Sequence, residues 1–570
     1  MAKAGRYTTP LADVERIDAA ELFSLSGGQR EAVRAARPRL IVMGLAFAML
    51  YGVLVIRSVG LTIFDHQIVA ARTHNVAVQK IERAKLTDRN GVLLASSLET
   101  YSAYITRANV RDVNRLAVQL SAIKGLASED ILRARLEGKR GQARIGRRLT
   151  PAIRDAIFSL GLPGVKFEAE QTRYYPRGRF AAHILGWVNA DGKGAAGVER
   201  GLEGDLKSGV ADTFALSIDA RVQFALEREL QTAMDEFRPE AAIGIVTNVR
   251  TGEVLAMAGQ PDFNPNAPGK YSPRERRNRA ATDRYELGSV FKPITLAMGF
   301  DLGLVSPDDM LDVVRPLIVN TKKINDMHRS RHKMSVTEVL VESSNKGAAI
   351  IALKVGGEKQ RQYLADFGLL DEAKIELRES ARPYMSSKQW RDVKTATIGY
   401  GHGLTVTPLA FVQAMGAIAN GGKLIPLTLQ ARPDDYQPEG RQVISPEAAR
   451  TVLDIMRQVV TRGTGKNAQV KGYDIAGKTG SAEKLDGKTG RYAKDRNISS
   501  FIAVFPARDP QFLVFIVLDE PKGDARTSGW ETAGWNAAPV TGRVISRVGP
   551  ILLPKGKRTQ RITHMADAVQ

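Results

Sequence analysis

Three short strings along the chain carry side chains that together could catalyse acyl transfer. They are Ser289-Val-Phe-Lys292, Ser343-Ser-Asn345 and Lys478-Thr479-Gly480, the last followed by Ser481. A serine hydroxyl is a poor nucleophile until a neighbouring group takes its proton. A lysine amine can take that proton where burial or nearby cations lower its pKa from about 10.4. The combination predicts a serine nucleophile with a lysine base, a polar proton relay and a cationic docking segment.

The sequence around Ser289 predicts the N-terminus of a helix. The apolar run Ile294–Phe300 follows it, and Pro293 falls in the first turn, where proline is tolerated. Lys292 lies three residues after Ser289 and so would project near the same face. The helix dipole at this end favours negative charge. We therefore expect Ser289 to be the nucleophile and Lys292 its base.

The other two strings are predicted to lie at the ends or edges of neighbouring elements. Ser335-Val-Thr-Glu338 is a capping-box pattern, and the helix that it begins would end near Ser343. Ile475-Ala-Gly477 leads into Lys478 as a strand would. A strand edge with an ammonium, hydroxyls and a glycine suits an extended peptide that ends in a carboxylate.

Two of the strings have duplicates that we interpret as unrelated to the site. Ser330-Arg-His-Lys333 repeats the serine–lysine spacing, but it lies in a charged stretch without an apolar helix after it. Lys488-Thr-Gly490 lies among polar and charged residues that are typical of a turn. We therefore favour Ser289 over Ser330 and Lys478 over Lys488.

The segment Gly472–Thr479 also fits the phosphate-binding pattern G-x-x-x-x-G-K-[ST]. Phe512–Asp519 could then be the apolar strand that ends in a magnesium-binding aspartate. A phosphate-binding loop needs an apolar strand before it and a helix after it, and the sequence predicts neither. The pattern also leaves Ser289 and Ser343 unexplained, so a nucleotide hydrolase is the less favoured enzyme class.

The uncharged run Leu40–Ile56, extended to residue 64, is long enough to span a bilayer core of about 30 Å. Four arginines closely precede the run, whereas only Arg57 follows it closely; the four are Arg30, Arg34, Arg37 and Arg39. This asymmetry predicts that residues 1–39 are a cytoplasmic tail, that residues 40–60 cross the membrane and that the remainder lies outside the cytoplasm.

The composition limits the remaining possibilities. A chain of 570 residues is too long for one hydrophobic core and predicts two or more domains. The absence of cysteine excludes disulfides and thiolate metal sites. The net charge of +21 is spread along the chain without an arginine-rich tract, which favours a solvated basic surface over a nucleic-acid site.

We predict a non-catalytic pedestal domain over residues 61–212, because no nucleophile constellation occurs there. Arg83–Ala95 has the pattern of two strands joined by an Asn-Gly turn. Residues 110–160 have apolar side chains at helical spacing. Because the pedestal lacks catalytic residues, we expect it to dock partner proteins. Substitutions at Arg173 or Glu199 should then impair division while leaving penicillin acylation of the purified protein nearly normal.

A catalytic domain is predicted over residues 213–553, followed by a disordered tail at 554–570. Asp219 can cap a helix at the start of this domain. Apolar runs separated by turn residues predict one hairpin within 242–258 and another within 500–518. Strands from both ends with helices between them predict an α+β fold, with a central antiparallel sheet flanked by helices.

The chain resembles the class B penicillin-binding proteins. The ordered motifs at Ser289, Ser343 and Lys478 are typical of penicillin-binding proteins. Segments similar to the pedestal motifs of the family are Arg83–Gly91, Arg173–Gly178 and Gly197–Gly201. Tyr400-Gly-His-Gly403 with Val406-Thr-Pro408 is similar to the division-specific, FtsI-like branch more than to the elongation branch. Ser481 departs from the usual threonine of the family but keeps the hydroxyl.

The resemblance implies a serine-type peptidoglycan D,D-transpeptidase. Ser289 would attack the carbonyl between the two terminal D-Ala residues of a stem peptide, and Lys292 would accept its proton. Ser343 and Asn345 would relay protons and hold the substrate amide. The backbone N–H groups of Ser289 and Ser481 would form the oxyanion hole. The implied substrate-binding residues are Lys478, Thr479, Gly480 and Ser481.

The resemblance implies no metal or cofactor in catalysis. Its implied ligands are peptidoglycan stem peptides and β-lactams, and its implied partners are divisome proteins, among them a membrane glycosyltransferase of the SEDS type. The implied location is the inner (cytoplasmic) membrane, as a single-pass protein at the division septum with a periplasmic catalytic domain. The alternatives are an elongation-type transpeptidase, a non-catalytic β-lactam sensor and a scaffold with an inactive site.

Overall fold

The structure, a computed structural model, describes residues 27–63, 83–138, 141–327, 331–385, 389–433, 435–485 and 492–553. It divides into two units, Met1–Ile81 and Glu82–Gln570. Residues 1–26 of the predicted cytoplasmic tail and the whole predicted C-terminal tail lie outside the described residues.

The first unit contains one long helix, Gly27–Ile63. Its segment Ile41–Ser58 has a mean hydropathy of 2.0, and none of it is buried within the protein. The 18 residues of this segment extend about 27 Å at 1.5 Å per residue, close to the thickness of a bilayer core. Within the described part of the chain, this is the one helix long and apolar enough to cross a membrane, in agreement with the predicted anchor.

The second unit begins with a mixed sheet built around one long strand, β2. The strands are β1 (Lys85–Thr87), β2 (Leu93–Thr106), β3 (Gln142–Leu149), β4 (Val165–Tyr174) and β5 (Thr213–Ala215). β2 pairs antiparallel with β1, β3 and β4, and β5 runs parallel to β1. The predicted Asn-Gly turn joins β1 to β2, and its Gly91 takes a φ of +83°, which glycine adopts without a steric penalty.

The expectation of a helical segment over residues 110–160 is partly wrong. Strand β3 interrupts it, and the helices are Val113–Ser121, Glu129–Leu136 and Pro151–Phe158. Ala143 and Ile145 of β3 are buried two residues apart, which is the period of a strand. β3 forms because it pairs with an edge of β2, a contact that local spacing in the sequence does not show.

Arg173 and Glu199 lie in a buried ion-pair network of the pedestal. Arg173 Nε donates to Glu199 Oε1 over 2.7 Å, and Arg83 contacts the other oxygen of this carboxylate. Arg173 also donates to the backbone oxygen of Ala84 over 2.9 Å. Both side chains are buried, so they fasten β4 inside the fold, and an effect of their substitution on division stays a prediction. Short helices complete this region: Ala182–Leu185, Gly197–Gly201 and Glu203–Leu206.

The predicted catalytic domain contains a five-stranded sheet. Its strands are β6 (Ala241–Asn248), β7 (Val254–Gln260), β14 (Ala476–Leu485), β15 (Tyr492–Phe505) and β16 (Phe512–Asp519). They lie in the order β14-β15-β16-β6-β7. All neighbours are antiparallel, and β16 pairs with β6, so strands from the two ends of the domain meet within the sheet. The predicted hairpins and the predicted α+β fold are confirmed. β14 lies at one edge.

Alternate side chains of the sheet pack into two cores. Ile243 of β6 belongs to the larger core, together with residues of helix Lys292–Asp301. Val246 belongs to the smaller core, which includes the apolar faces of helices Ala220–Phe237 and Ala537–Leu552. The two-residue period of the strands thus places one helical layer on each face of the sheet.

Asp219 caps helix Ala220–Phe237, as predicted, by accepting a hydrogen bond from the N–H of Arg221. The remaining helices are Pro273–Arg276, Arg279–Thr282, Val336–Val341, Asn345–Val355, Gly357–Asp366, Asp392–Ile398, Pro408–Ala419 and Pro446–Thr461. The two-stranded ribbons pair β8 (Met310–Leu311) with β11 (Met334–Ser335), β9 (Leu317–Val319) with β10 (Lys322–Ile324), and β12 (Lys423–Leu424) with β13 (Arg441–Gln442).

Candidate active site

Ser289 lies in a 3₁₀ turn, Gly288–Phe291, that runs directly into helix Lys292–Asp301. The serine is therefore at the N-terminal end of this helix, as predicted, and it is partly exposed. Gly288 takes a φ of +59°, a conformation that residues with a Cβ rarely adopt. A Cβ at this position would also lie 2.8 Å from the backbone oxygen of Ser481. The glycine thus lets the nucleophile turn, Gly288–Phe291, lie directly against β14.

The Lys292 amine contacts residues of both the Ser289–Lys292 and the Ser343–Asn345 motifs. Its Nζ lies 2.9 Å from Ser289 Oγ and 3.1 Å from Ser343 Oγ. Nζ also donates to the backbone oxygen of Ser343 over 2.6 Å and to Asn345 Oδ1 over 2.8 Å. The serine, the lysine and the predicted relay residues are therefore in direct contact.

The surroundings of Lys292 favour its neutral form. The side chain is fully buried, and this burial is the main reason that its pKa lies well below the usual value for lysine. The positive charge of Lys478 lowers the pKa of Lys292 further, whereas the carboxylate of Asp326 opposes the shift. A neutral amine has a lone pair that can accept the proton of Ser289.

Ser343 lies between helices Val336–Val341 and Asn345–Val355 and takes a left-handed φ of +63°. Such a conformation is uncommon for a residue with a Cβ and persists where the surrounding structure fixes it. Ser335 is the N-cap of the first helix, because its Oγ accepts from the N–H of Glu338 over 3.1 Å, which is one of the two bonds of the predicted capping box. The turn after that helix presents the Ser343 hydroxyl to both lysines of the site.

A carboxylate that the sequence analysis missed, Asp326, supports this turn. Its Oδ1 accepts from the backbone N–H groups of Asn345 and Lys346, and its Oδ2 accepts from Ser344 Oγ over 3.0 Å. An anion is favoured at this position because the N–H groups of a helix N-terminus point toward it. Asp326 lies 18 residues before Ser344, and no motif in the sequence connects the two.

Lys478 reaches the same hydroxyl from the edge strand β14. Its Nζ donates to Ser343 Oγ over 2.9 Å and to the backbone oxygen of Thr479 over 3.0 Å. Lys478 is fully buried, and burial lowers its pKa to about 7. Thr479 Oγ1 lies 2.8 Å from Thr464 Oγ1. The strand predicted to lead into Lys478 is confirmed, and so is its position at a sheet edge.

Gly480 and Ser481 bring this edge close to the nucleophile. A Cβ at Gly480 would lie 2.5 Å from the backbone oxygen of Leu287, so a side chain is excluded there. The backbone oxygen of Ser481 approaches Gly288. In an antiparallel strand the N–H and C=O of one residue point to the same side. The N–H of Ser481 is therefore directed toward the turn that contains Ser289, where the oxyanion hole is expected.

A second cluster missed by the sequence analysis lies beside the nucleophile turn. Glu286 accepts hydrogen bonds from the N–H of Gly403 and from the hydroxyl of Tyr492, each over 2.8 Å. The ring of His402 lies 5.8 Å from that of Tyr492, centroid to centroid. The sequence contains a hint of this cluster in Tyr400-Gly-His-Gly403, which the sequence analysis used only to choose a branch of the family.

The competing patterns of the sequence fare differently. Lys478 and Thr479 lie within a strand that continues to Leu485, so no helix follows Gly472–Thr479 and the phosphate-binding pattern is not a phosphate-binding loop. Ser330 and Lys488 both lie outside the described residues. Within the described ranges no group of three or more histidine, aspartate or glutamate side chains could hold a metal ion.

Comparison with known proteins assigns both domains to families. Residues 242–540 match the penicillin-binding protein transpeptidase domain, and residues 79–209 match the penicillin-binding protein dimerisation domain. The probable peptidoglycan D,D-transpeptidase FtsI of Caulobacter vibrioides is 42% identical over 492 residues, which cover 84% of this chain and 83% of the relative. The peptidoglycan D,D-transpeptidase FtsI of Escherichia coli is 31% identical, with coverage of 83% and 84%.

Solved structures agree with these relatives. The crystal structure of penicillin-binding protein 3 from Mycobacterium tuberculosis, complexed with aztreonam, has a TM-score of 0.65 and 25% sequence identity. It covers 83% of this chain and 98% of its own. The family matches, the relatives and the solved structure all agree with the two domains described above. The chain belongs to the class B penicillin-binding proteins, as a peptidoglycan D,D-transpeptidase of the FtsI type.

Proposed function

We propose that the chain cross-links peptidoglycan through an acyl-enzyme at Ser289. Lys292 takes the proton of the hydroxyl, and the oxygen attacks the carbonyl carbon between the two terminal D-Ala residues of a stem peptide. The bond to the last D-Ala then breaks, and its nitrogen receives the proton from Lys292. An amine of a second stem peptide attacks the acyl-enzyme, which forms the new amide and restores Ser289.

The observation that carries this proposal is the 2.9 Å contact between Lys292 Nζ and Ser289 Oγ. This distance is within the range in which a general base can abstract a proton. The lysine is fully buried and its pKa is lowered, which supports a base rather than a surface cation. The nucleophile itself is partly exposed, which leaves it open to a substrate.

Ser343 and Asn345 are proposed to move protons and to orient the substrate. Ser343 Oγ lies within hydrogen-bonding distance of Nζ of both Lys292 and Lys478, so a proton can pass between the two amines through one hydroxyl. Asn345 has its Oδ1 on Lys292 and its amide nitrogen on the backbone oxygen of Asn325. Together, the two hydrogen bonds fix the orientation of the Asn345 amide beside the nucleophile.

Lys478 and Thr479 are proposed to recognise the terminal carboxylate of the stem peptide. Burial holds the pKa of Lys478 at about 7, and a carboxylate beside it would favour the charged form. Charge-assisted hydrogen bonds of this kind contribute about 1.5–3 kcal/mol. Ser481 and Ser289 would supply the backbone N–H groups of the oxyanion hole, with Gly480 leaving room for the substrate backbone.

A β-lactam is proposed to acylate the same serine. Its carboxylate would dock at Lys478 and its amide carbonyl would meet Ser289, as the stem peptide does. When the ring opens, the amine formed stays attached to the acyl group and does not leave as D-Ala does. The proposed acyl-enzyme therefore persists and can be detected as a covalent adduct.

The anchor and the relatives support a place for this reaction. Helix Gly27–Ile63 contains the apolar segment Ile41–Ser58, and the arginines before that segment favour a cytoplasmic N-terminus. We infer that the catalytic domain is periplasmic and acts at the division septum, with a membrane glycosyltransferase of the SEDS type and other divisome proteins as partners. The FtsI relatives support the septal assignment over elongation.

A fluorescent penicillin tests the central proposal. The full-length protein in detergent should label covalently, and the labelled peptide should contain Ser289. Ser289→Ala should abolish labelling without lowering the unfolding temperature, whereas Ser306→Ala, at an exposed position away from the motifs, should label normally. Labelling that survives Ser289→Ala, or that maps to Ser330, would refute the assignment.

A further inference from the structure

Cross-link formation needs two proton acceptors, and Lys292 next to Ser289 is one of them. The amine of a stem peptide is largely an ammonium near neutral pH, because aliphatic amines have pKa values of about 8–10.4. The ammonium nitrogen carries three protons, whereas the nitrogen of the product amide carries one. One of the two departing protons can restore the Ser289 hydroxyl through Lys292. The other must first leave the ammonium, because its nitrogen has no free electron pair for attack.

His402 lies beside the nucleophile turn. The backbone N–H of Gly288 donates to the oxygen of Gly401 over 3.2 Å. The approach is so close that a Cβ on Gly401 would lie 2.1 Å from the oxygen of Gly288. Gly401 thus contacts Gly288, the residue before Ser289, and His402 follows Gly401 directly in the chain. The His402 side chain is partly exposed.

The two ring nitrogens of His402 have different surroundings. Nδ1 is buried and makes no well-formed hydrogen bond to the residues that the structure describes, although the backbone of Tyr400 acts on the ring. The ring packs between Tyr400 and Tyr492, with centroid distances of 5.2 and 5.8 Å. Nε2 is less enclosed than Nδ1, and no described side chain hydrogen bonds to it. The imidazole is therefore held between two aromatic rings, and Nε2 is its less enclosed nitrogen.

The charged groups around His402 belong to several elements. Glu286 lies close by and is held by Gly403 and Tyr492. Lys322, and Lys292 when it is protonated, place positive charge near the ring. Tyr400 and Tyr492 complete the surroundings, and both of their hydroxyls have raised pKa values through burial, so they stay neutral.

We propose that His402 Nε2 is the base that takes the first proton from the ammonium of the acceptor stem peptide. The proposal rests on the acyl-enzyme at Ser289 proposed above. The geometry that carries it is a partly exposed imidazole beside the nucleophile turn, with one nitrogen enclosed and the other without a partner in the described part of the chain.

The step balances in protons and electron pairs. His402 Nε2 receives one proton, and the freed electron pair of the amine attacks the acyl carbonyl carbon. The tetrahedral intermediate loses a second proton from the same nitrogen to neutral Lys292, which passes it to Ser289 Oγ as the carbon–Oγ bond breaks. The products are the amide and the free serine, and protonated His402 releases its proton to solvent.

The electrostatics are compatible with this role. Burial lowers the pKa of His402, whereas Glu286 and the backbone of Tyr400 raise it; Lys322, and Lys292 when protonated, lower it further. The net shift is downward from the ordinary value near 6.5. The imidazole is therefore neutral near pH 7 and has an electron pair available for a proton.

The role of His402 concerns aminolysis of the acyl-enzyme and not acylation of Ser289, so the two half-reactions are measured side by side. The full-length protein in detergent is given an N-acyl-D-alanyl thioester as acyl donor and D-alanine as acceptor, and the ratio of aminolysis to hydrolysis product is recorded. His402→Gln should lower this ratio at least tenfold at pH 7, since a general base contributes about 10²–10⁴-fold. Fluorescent penicillin should acylate the variant within about twofold of the wild-type rate. His332→Gln, an exposed histidine, is the matched control and should change neither value.

The pH profile distinguishes a base from a packing residue. With His402 as base, the aminolysis ratio of the wild-type protein should level off above the pKa of the imidazole. In His402→Gln the ratio should keep rising with pH toward the pKa of the acceptor amine. A wild-type ratio that rises without a plateau would overturn the proposal even if the variant failed to fold. An unchanged ratio in a variant that still binds penicillin would overturn it as well, and failure of wild-type penicillin binding would instead refute the acyl-enzyme.

Discussion

Lys478 Nζ donates to Ser343 Oγ over 2.9 Å, and this hydroxyl lies 3.1 Å from Nζ of Lys292. One serine thus connects the proposed carboxylate-binding lysine to the proposed base. Both amines are fully buried, and the charge of Lys478 lowers the pKa of Lys292. A substrate carboxylate that keeps Lys478 protonated would therefore help to keep Lys292 neutral. Substrate docking and activation of the nucleophile are linked through two contacts.

This linkage predicts a bell-shaped pH dependence for acylation by an anionic β-lactam. The second-order rate constant should rise with pH as Lys292 loses its proton, because the neutral amine is the base. It should fall again above about pH 7, because Lys478 has a pKa of about 7 and its ammonium docks the carboxylate. The profile can be measured with fluorescent penicillin at subsaturating concentration.

Lys478→Arg provides the control for the descending limb. A guanidinium remains charged throughout this pH range, so the fall above pH 7 should disappear even if the larger side chain lowers the absolute rate. A descending limb that stays in place would assign it to another group.

The choice between the two Lys-Thr-Gly strings gives a second prediction. Lys478→Ala should slow β-lactam acylation at least tenfold, because a lost charge-assisted hydrogen bond of about 1.5–3 kcal/mol corresponds to roughly ten- to hundredfold. Lys488→Ala should change the rate less than about threefold, since the sequence around it predicts a solvated turn and surface substitutions usually cost within about 0.5 kcal/mol. Equal losses in the two variants would contradict the docking role of Lys478.

The motifs predicted the catalytic centre more completely than they predicted its supports. Ser289, Lys292 and Ser343 meet as expected because each motif carries its own local signal, a helix start, a cap or a strand. Asp326 carries no such signal, since its role exists only after a distant loop folds against the N-terminus of helix Asn345–Val355. The sequence therefore indicated the reacting groups and not the group that orients them.

The fold was predictable to a similar degree. The strands of the catalytic sheet have apolar runs bounded by turns, and both hairpins are present. Strand β3 was missed because it depends on a free edge of β2. Nothing in the sequence indicated that Arg173 and Glu199 pair, because 26 residues separate them and charged side chains are usually exposed. Their buried ion pair appears only in the structure.

The buried pair in the pedestal gives a third prediction. Glu199→Gln should lower the free energy of unfolding by about 3–5 kcal/mol, because removal of one partner leaves buried arginine charge uncompensated. Glu203→Gln should cost less than about 1 kcal/mol, because the Glu203 side chain is 29% exposed and solvent screens its ion pair with Arg83. Thermal unfolding of the purified variants measures both effects.

The same variants test whether the ion-pair network of the pedestal acts on the catalytic site. The folded fraction of Glu199→Gln should still be acylated by penicillin at nearly the wild-type rate, since no residue of the network contacts Ser289 or Lys292 in the described structure. A loss of acylation without a loss of stability would show that the pedestal acts on the catalytic site.

The glycines on either side of His402 give the last prediction. Comparing alanine at the two positions distinguishes the cost of an unfavourable φ angle from the cost of a steric clash with the nucleophile turn. Gly401 and Gly403 have nearly equal φ angles, +85° and +86°, so alanine should cost each a similar conformational penalty of about 1–2 kcal/mol. The atoms that a Cβ would meet differ between the two positions. A Cβ on Gly401 would lie 2.1 Å from the backbone oxygen of Gly288, whereas a Cβ on Gly403 would lie 3.3 Å from the side chain of Thr397. The Thr397 hydroxyl can shift by a few tenths of an ångström, but the nucleophile turn cannot be displaced without moving Ser289.

The Gly401→Ala variant should therefore be acylated by penicillin at least tenfold more slowly than the Gly403→Ala variant, with the two unfolding temperatures compared in parallel. Equal acylation rates would mean that the contact between Gly401 and Gly288 does not position the nucleophile.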